Sequence, residues 1–201
     1  MPALIEDAGR ELRRIVRINE EIKTVVARAF KTNLMAMNAI FLAKRAGQSA
    51  LGFGVLSNEL RQFAMDLQKQ MAQLREMTHG SVAKLTALLR QARLSRVFER
   101  TRNESTGTGR MLIDEFMKNR QNTADARQSE QIAAHNRRLT QMIADTAQLA
   151  ELGGVLARSA KIEAAYGGPF SAALTQVSSD FERTIGEIQH SLSGLGRQQV
   201  D

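Results

Sequence analysis

The segment from Leu4 to Gly47 reads LIEDAGRELRRIVRINEEIKTVVARAFKTNLMAMNAIFLAKRAG, and its periodicity decides the fold class. Ile5, Ala8, Leu12, Ile15, Asn19, Ile22, Val26, Ala29, Asn33, Ala36, Ile40 and Ala43 recur at alternating steps of three and four. That spacing is the heptad seam of a helix that packs along another helix. Only Pro2 and Pro169 could interrupt helical structure, so a helix is expected over about residues 4–46. At the helical rise it is ~65 Å long, too long to fold back into a compact globule. It must lie beside partners of similar length.

Further along, Gly47-Gln48-Ser49-Ala50-Leu51-Gly52 carries a glycine at each end and is read as a tight reversal. A second helix follows, with Leu56, Leu60, Phe63, Leu67, Met71, Leu74, Val82, Leu85, Leu88 and Ala92 on one side, fading near Arg102. Asn103 to Gly109 is a loop. A third helix starts near Met111 and ends at Tyr166-Gly167-Gly168-Pro169. A fourth, with Leu174, Val177, Phe181, Ile185, Ile188, Leu192 and Leu195, runs to about Leu195. The breaks near 47, 106 and 167 are 59 and 61 residues apart. The expected fold is therefore all-α, with long antiparallel helical hairpins forming a four-helix bundle of coiled-coil type. Residues 1–201 are read as one helical domain: hairpin one over 4–102, a loop over 103–109 and a degenerate hairpin two over 110–197.

Composition agrees with a thin core. Of 201 residues 43% are hydrophobic but only 4% aromatic, with no Trp. The absence of Cys excludes disulfides, thiolate metal sites and thiol nucleophiles. No secretory signal is read at the N-terminus, and the uncharged stretch from Thr32 to Ala43 is too short to span a membrane. A net charge of +7 raises two readings. One is a solvated mixed-charge surface. The other is a basic helical bundle that binds nucleic acid or an anionic surface through Arg90, Arg93, Arg96, Arg100 and Arg102. Charges of both signs alternate along most of the chain, so nucleic acid is the less favoured partner.

Phe30-Lys31-Thr32-Asn33-Leu34-Met35-Ala36-Met37-Asn38-Ala39-Ile40-Phe41-Leu42-Ala43-Lys44-Arg45-Ala46-Gly47, continued by Gly52-Phe53-Gly54-Val55-Leu56 and Glu59-Leu60-Arg61, resembles the cytoplasmic signalling tip of methyl-accepting chemotaxis proteins. Thr32-Asn33, Asn38, Arg45-Ala46-Gly47, Gly52-Phe53 and the Glu59/Arg61 pair fall at that family's spacing without a gap. The resemblance implies a cytoplasmic signalling module, not an enzyme. Its tip would bind a coupling protein (CheW type) and a histidine kinase (CheA type), and would pack with other receptors or itself. By position, Phe30, Leu34, Met37, Asn38, Phe41 and Arg45 would form the receptor–receptor contact. Phe53, Val55 and Glu59 would meet the coupling protein.

The residues themselves point the same way. Phe30, Leu34, Met37 and Phe41 form a second stripe off the main seam, which either covers a helix of the same bundle or meets another molecule. Leu156 to Ala165 looks like a decayed second copy of the tip, with Glu163 at the place of Leu42. On this reading Phe170 echoes Phe53, the second turn is about four residues shorter, and Ala172 and Gln176 match Val55 and Glu59. The chain would then supply both hairpins of a bundle that receptors build from two identical ones. Glu20-Glu21 reads as a solvated face. The stalk helices that carry the family's adaptation sites have no counterpart here.

No catalytic, cofactor or metal site is expected. His79, His135 and His190 stand alone, with no second ligand at metal-binding spacing. Thr106-Gly107-Thr108-Gly109 lacks the preceding strand and the lysine of a phosphate loop.

Overall fold

A computed structural model describes residues 2–197; the side chains at 2–8, 11, 85, 88, 119–129 and 132 lie outside the described set. Ile5, Ala8, Leu85 and Leu88 of the expected seams fall among these. The described chain is all-α. Helix α1 spans Pro2–Ala46, α2 Leu51–Glu104, α3 Thr108–Ala164 and α4 Ser171–Arg197. Short 3-10 turns at Gly47–Ala50 and Gly168–Phe170 join α1 to α2 and α3 to α4. The loop between α2 and α3 is shorter than its composition suggests, because Thr108 and Gly109 already belong to α3.

Each reversal turns on one glycine with positive φ: Gly47 at 70°, Gly107 at 61° and Gly168 at 55°. A residue with a Cβ is strained in that left-handed region, so these three positions explain where the long helices stop. Lys44 and Arg45 in the last turn of α1 complement its exposed carbonyls. The expected second hinge at Gly52 is not one. Gly52 lies inside α2, where the Glu163 carboxylate packs directly over its backbone.

The chain divides into two compact units, Arg17–Glu76 with Thr140–Asp201 and Met1–Val16 with Met77–Leu139. The first is a four-helix bundle. Gly54 sits against Ala43 within its first hairpin, and Gln189 Nε2 donates to the Ala150 carbonyl at 3.0 Å within its second. Between the hairpins, Phe63 packs on Gly153, and Arg28 Nε lies 3.1 Å from Glu187 Oε2. Every neighbouring pair is antiparallel, and Ser49 lies beside Gly168, so the two turns share one end.

The core of this unit repeats with an offset of 121 residues, the separation of Gly47 from Gly168. In α1 the buried positions include Ile22, Val25, Ala29, Thr32, Ala36, Ala39 and Ala43; in α3 they include Ile143, Thr146, Ala150, Gly153, Ala157, Ala160 and Ala164. In α2 they include Phe53, Ser57, Leu60, Phe63, Ala64, Leu67, Met71 and Leu74; in α4, Leu174, Ser178, Phe181, Thr184, Ile185, Ile188, Leu192 and Leu195. The offset holds through both turns, so the second turn is as long as the first. Leu174, not Phe170, matches Phe53, while Val55 corresponds to Gln176 and Glu59 to Asp180.

The seam of α1 also differs from its expected course. Ile15, Ile22, Ala29, Ala36 and Ala43 are buried as expected, but the alternate track is Ile18, Val25, Thr32 and Ala39. Leu12 and Val26 face solvent. Buried hydroxyls are accommodated without a partner helix: Thr32 donates to the Arg28 carbonyl, Ser57 to Phe53 and Ser178 to Leu174, each four residues back.

In the second unit, α2 and α3 again run antiparallel. The rings of Phe98 and Phe116 lie 5.1 Å apart, Arg102 pairs with Asp114, and Ser81 Oγ is 2.7 Å from His135 Nε2. Its described interior is thin: no described residue from His79 to Arg138 is fully buried.

Candidate functional site at the hairpin tip

The seam of α1 dictates what its other side presents. With Ala29, Thr32, Ala36, Ala39 and Ala43 turned inward, the stripe at steps of four, three and four is turned outward. Phe30 is 54% exposed, Leu34 45%, Met37 38% and Phe41 61%. The stripe therefore covers no helix of its own bundle. Val26, assigned to the seam on periodicity, is exposed one turn before Phe30 and extends the stripe. The signal that would have found it is the pair Val25-Val26, of which a seam can bury only one.

Asn38 and Arg45 are exposed beside the stripe. Between Ile22 and Ala46, α1 carries five cations and no carboxylate. Lys23 pairs with Glu20 at 2.6 Å and Arg28 with Glu187, while Lys31, Lys44 and Arg45 have no partner among the described residues. The apolar stripe thus has a cationic rim. Of Glu20-Glu21, Glu20 is exposed and pairs with the exposed Lys23, while Glu21 is half-buried.

On α2, Val55 is 63% exposed, and Leu51 and Glu59 are exposed one turn to either side of it. Leu51, which the sequence reading did not single out, enlarges this apolar spot to two side chains. Phe53, expected to meet the coupling protein, lies elsewhere. It has no exposed surface, and it points into the bundle on the side of α2 away from Val55. Phe53 can position a contact face through packing, but it offers no side-chain surface to a partner.

The corresponding face of the second hairpin is different. Phe30, Leu34, Met37 and Phe41 correspond to Glu151, Val155, Arg158 and Ile162, so two of the four apolar anchors become charges. Leu51, Val55 and Glu59 correspond to Ala172, Gln176 and Asp180. Asp180 keeps the charge but is occupied by Arg183 at 2.7 Å. An ion pair found only in this hairpin, Lys161 with Glu182 at 2.7 Å, holds the Glu182 carboxyl below its ordinary range through that hydrogen bond and the lysine charge.

The basic run of α2 does not form one face. Arg90, Arg93, Arg96 and Arg100 lie on one side of the helix, while Arg102 turns away to Asp114, and Arg100 is shared with Glu104 at 3.0 Å. His135 is held below its ordinary pKa by burial first, with Lys84 and Arg138 adding to it, against a hydrogen bond to the Met77 backbone. No group of metal-ligating side chains is found among the described residues, and no described helix is long and apolar enough to cross a membrane.

Comparison with known proteins places this surface in context. The chain is 32% identical over 78 residues to a putative sensory transducer protein of Acetivibrio thermocellus, which is 39% of this chain and 13% of the relative. It is 33% identical over 84 residues to the methyl-accepting chemotaxis protein TlpQ of Pseudomonas aeruginosa, 40% of this chain and 12% of the relative. It is 37% identical over 68 residues to the methyl-accepting chemotaxis protein McpS of Pseudomonas putida, 34% of this chain and 10% of the relative. The chain thus contains a region similar to methyl-accepting chemotaxis proteins and spans about an eighth of the length of these relatives. No protein-family model matches it, and no solved structure gives a significant match.

Proposed function

We propose that this chain is a cytoplasmic, chemoreceptor-like signalling module without enzymatic activity. Its first hairpin tip binds a coupling protein of the CheW type and a histidine kinase of the CheA type, and modulates kinase signalling. The observation that carries this reading is the exposure of two side-chain sets at one tip, Phe30/Leu34/Met37/Phe41 and Leu51/Val55/Glu59, in a chain of which 40% is similar to a methyl-accepting chemotaxis protein. Aromatic and aliphatic anchors of this kind, ringed by charge, are what a protein interface needs at its centre. The stripe on α1 packs against receptor hairpins. The spot on α2 meets the coupling protein, with Val55 as apolar anchor and Glu59 as charge. Signalling is conformational: tip packing biases the bound kinase between two states.

Titration calorimetry with the purified coupling protein tests this. Val55→Asp and Glu59→Arg are expected to abolish binding, while Gln176→Arg leaves it nearly intact. A wild-type chain that fails to bind at high micromolar concentration overturns the reading. Binding through the arginine side of α2 would instead fall steeply with added salt.

A further inference from the structure

The two hairpins are alike enough to invite exchange between chains, since each has the length, turn and buried register of the other. The structure contains a contact that opposes the pairing of two like hairpins. Phe63 of α2 is 3% exposed, and its ring lies directly over Gly153 of α3. A Cβ at Gly153 would meet three ring carbons of Phe63 at 2.5, 2.7 and 2.9 Å. Such distances are not tolerated, and a buried phenyl ring has little freedom to move aside.

The 121-residue offset identifies the mirrored pair. Gly153 corresponds to Thr32 and Phe63 to Thr184, both fully buried hydroxyl residues. One side of the interface is therefore large against nothing, and the other is small against small. Two copies of hairpin one would set Phe63 against Thr32, whose Cβ occupies the space the ring needs. Two copies of hairpin two would set Thr184 against Gly153 and leave a void where the ring had been. A second contact is specific in the same sense but weaker. The Glu163 carboxylate lies over Gly52, whose counterpart is Ala173, but the end of a glutamate can swing away.

We infer that hairpin one is built to pair with a hairpin two and to reject a second hairpin one. The Phe63–Gly153 fit is the specificity element. The bundle that carries the tip is complete in a single chain, which presents one apolar stripe and one coupling spot per bundle instead of two of each.

A double-mutant cycle on the full chain tests the fit. Gly153→Thr, which reproduces the residue of hairpin one, should lower the melting temperature by about 5 °C or more. Adding Phe63→Thr, which reproduces the mirrored pair, should recover most of that loss beyond what Phe63→Thr alone predicts. Gly153→Thr with an unchanged melting temperature, or a double variant no better than additive, overturns the inference. Pairing is read separately with a short bismaleimide, because the chain has no cysteine of its own. Arg28→Cys with Glu187→Cys in one chain should cross-link within that chain. A mixture of chains carrying Arg28→Cys alone and Asp66→Cys alone, Asp66 being the counterpart of Glu187, should give no cross-linked dimer, and a dimer band there overturns the inference. None of these readouts involves the coupling protein, so they stand or fall independently of the proposed function.

Discussion

At Gly47 and Gly168, Phe53 and Leu174, and Leu60 and Phe181, the two hairpins perform the same tasks in turn and core. At Phe30 and Glu151, Met37 and Arg158, and Val55 and Gln176, they present different chemistry to solvent. Core positions accept one apolar residue for another, because the requirement there is volume and the absence of unpaired polar groups. Exposed positions are under no such packing constraint, so the stripe of Phe, Leu, Met and Phe in one hairpin, broken by charges in the other, is not explained by the packing of the bundle. The shared interior maintains the bundle, and the differing surface leaves the apolar stripe on one side of it.

Removing volume from the shared interior should have the largest effect and should strike both hairpins equally. Phe181→Ala is expected to cost about 3–5 kcal/mol and Leu60→Ala about 2–5 kcal/mol in urea unfolding followed by helicity. A second hairpin that melts in its own transition, with the first undisturbed by Phe181→Ala, would break the comparison at its root.

The surface should behave in the opposite way. Phe41→Ala is expected to weaken association with receptor hairpins by about 1–4 kcal/mol, measured by sedimentation, while the melting temperature stays put. The corresponding Ile162→Ala should change neither. Equal loss of stability and association on Phe41→Ala would mean that the stripe belongs to the core after all.

Smaller still is the ion pair across the hairpins. Arg28→Leu copies the residue at the related position, Leu149, and removes the contacts to Glu187 and Ser191. Glu187 is well exposed, so the loss should be about 1 kcal/mol or less and should shrink further in high salt. A loss of several kcal/mol would show that electrostatics, not packing, selects the hairpin pairing.

The smallest effect lies outside the hairpins. His135 has a folded pKa below its ordinary value, so the unfolded chain binds the proton more readily. The stability this provides is present above pH ~6.5 and declines as the pH falls below that value toward the folded pKa. Hydrogen exchange at residues 77–84 should therefore accelerate below pH ~6.5 before the tip responds. His135→Gln should remove that dependence.

Sequence alone was sufficient for the number of helices and the places where they break, though not for every end, since Gly52 lies inside α2 and α3 already begins at Thr108. Four helices follow from periodicity and from the two prolines at 2 and 169, and the breaks at Gly47, Gly107 and Gly168 coincide with the three glycines of positive φ. Local chemistry decides such features: a backbone that needs the left-handed region selects glycine wherever the rest of the chain lies. The exposure of the α1 stripe and of Val55 and Glu59 was legible too, while Phe53 is buried. Alternation along a single helix does not reveal which side of a turn faces inward when both sides are apolar.

Only the tertiary structure decided the partner-dependent features. Ile15, Ile22, Ala29, Ala36 and Ala43 are common to two equally good seams, and the neighbouring helices bury Ile18, Val25, Thr32 and Ala39 rather than the residues one step on. The repeat across the second turn was hidden in the same way, because Leu174 and Phe53 match in burial but not in identity. The fit of Phe63 onto Gly153 joins residues that are distant in sequence and carries no local signal. A period of three and four gives the axis of a helix, but the rotation about that axis, and the choice of the neighbour it fits, are properties of the other three helices.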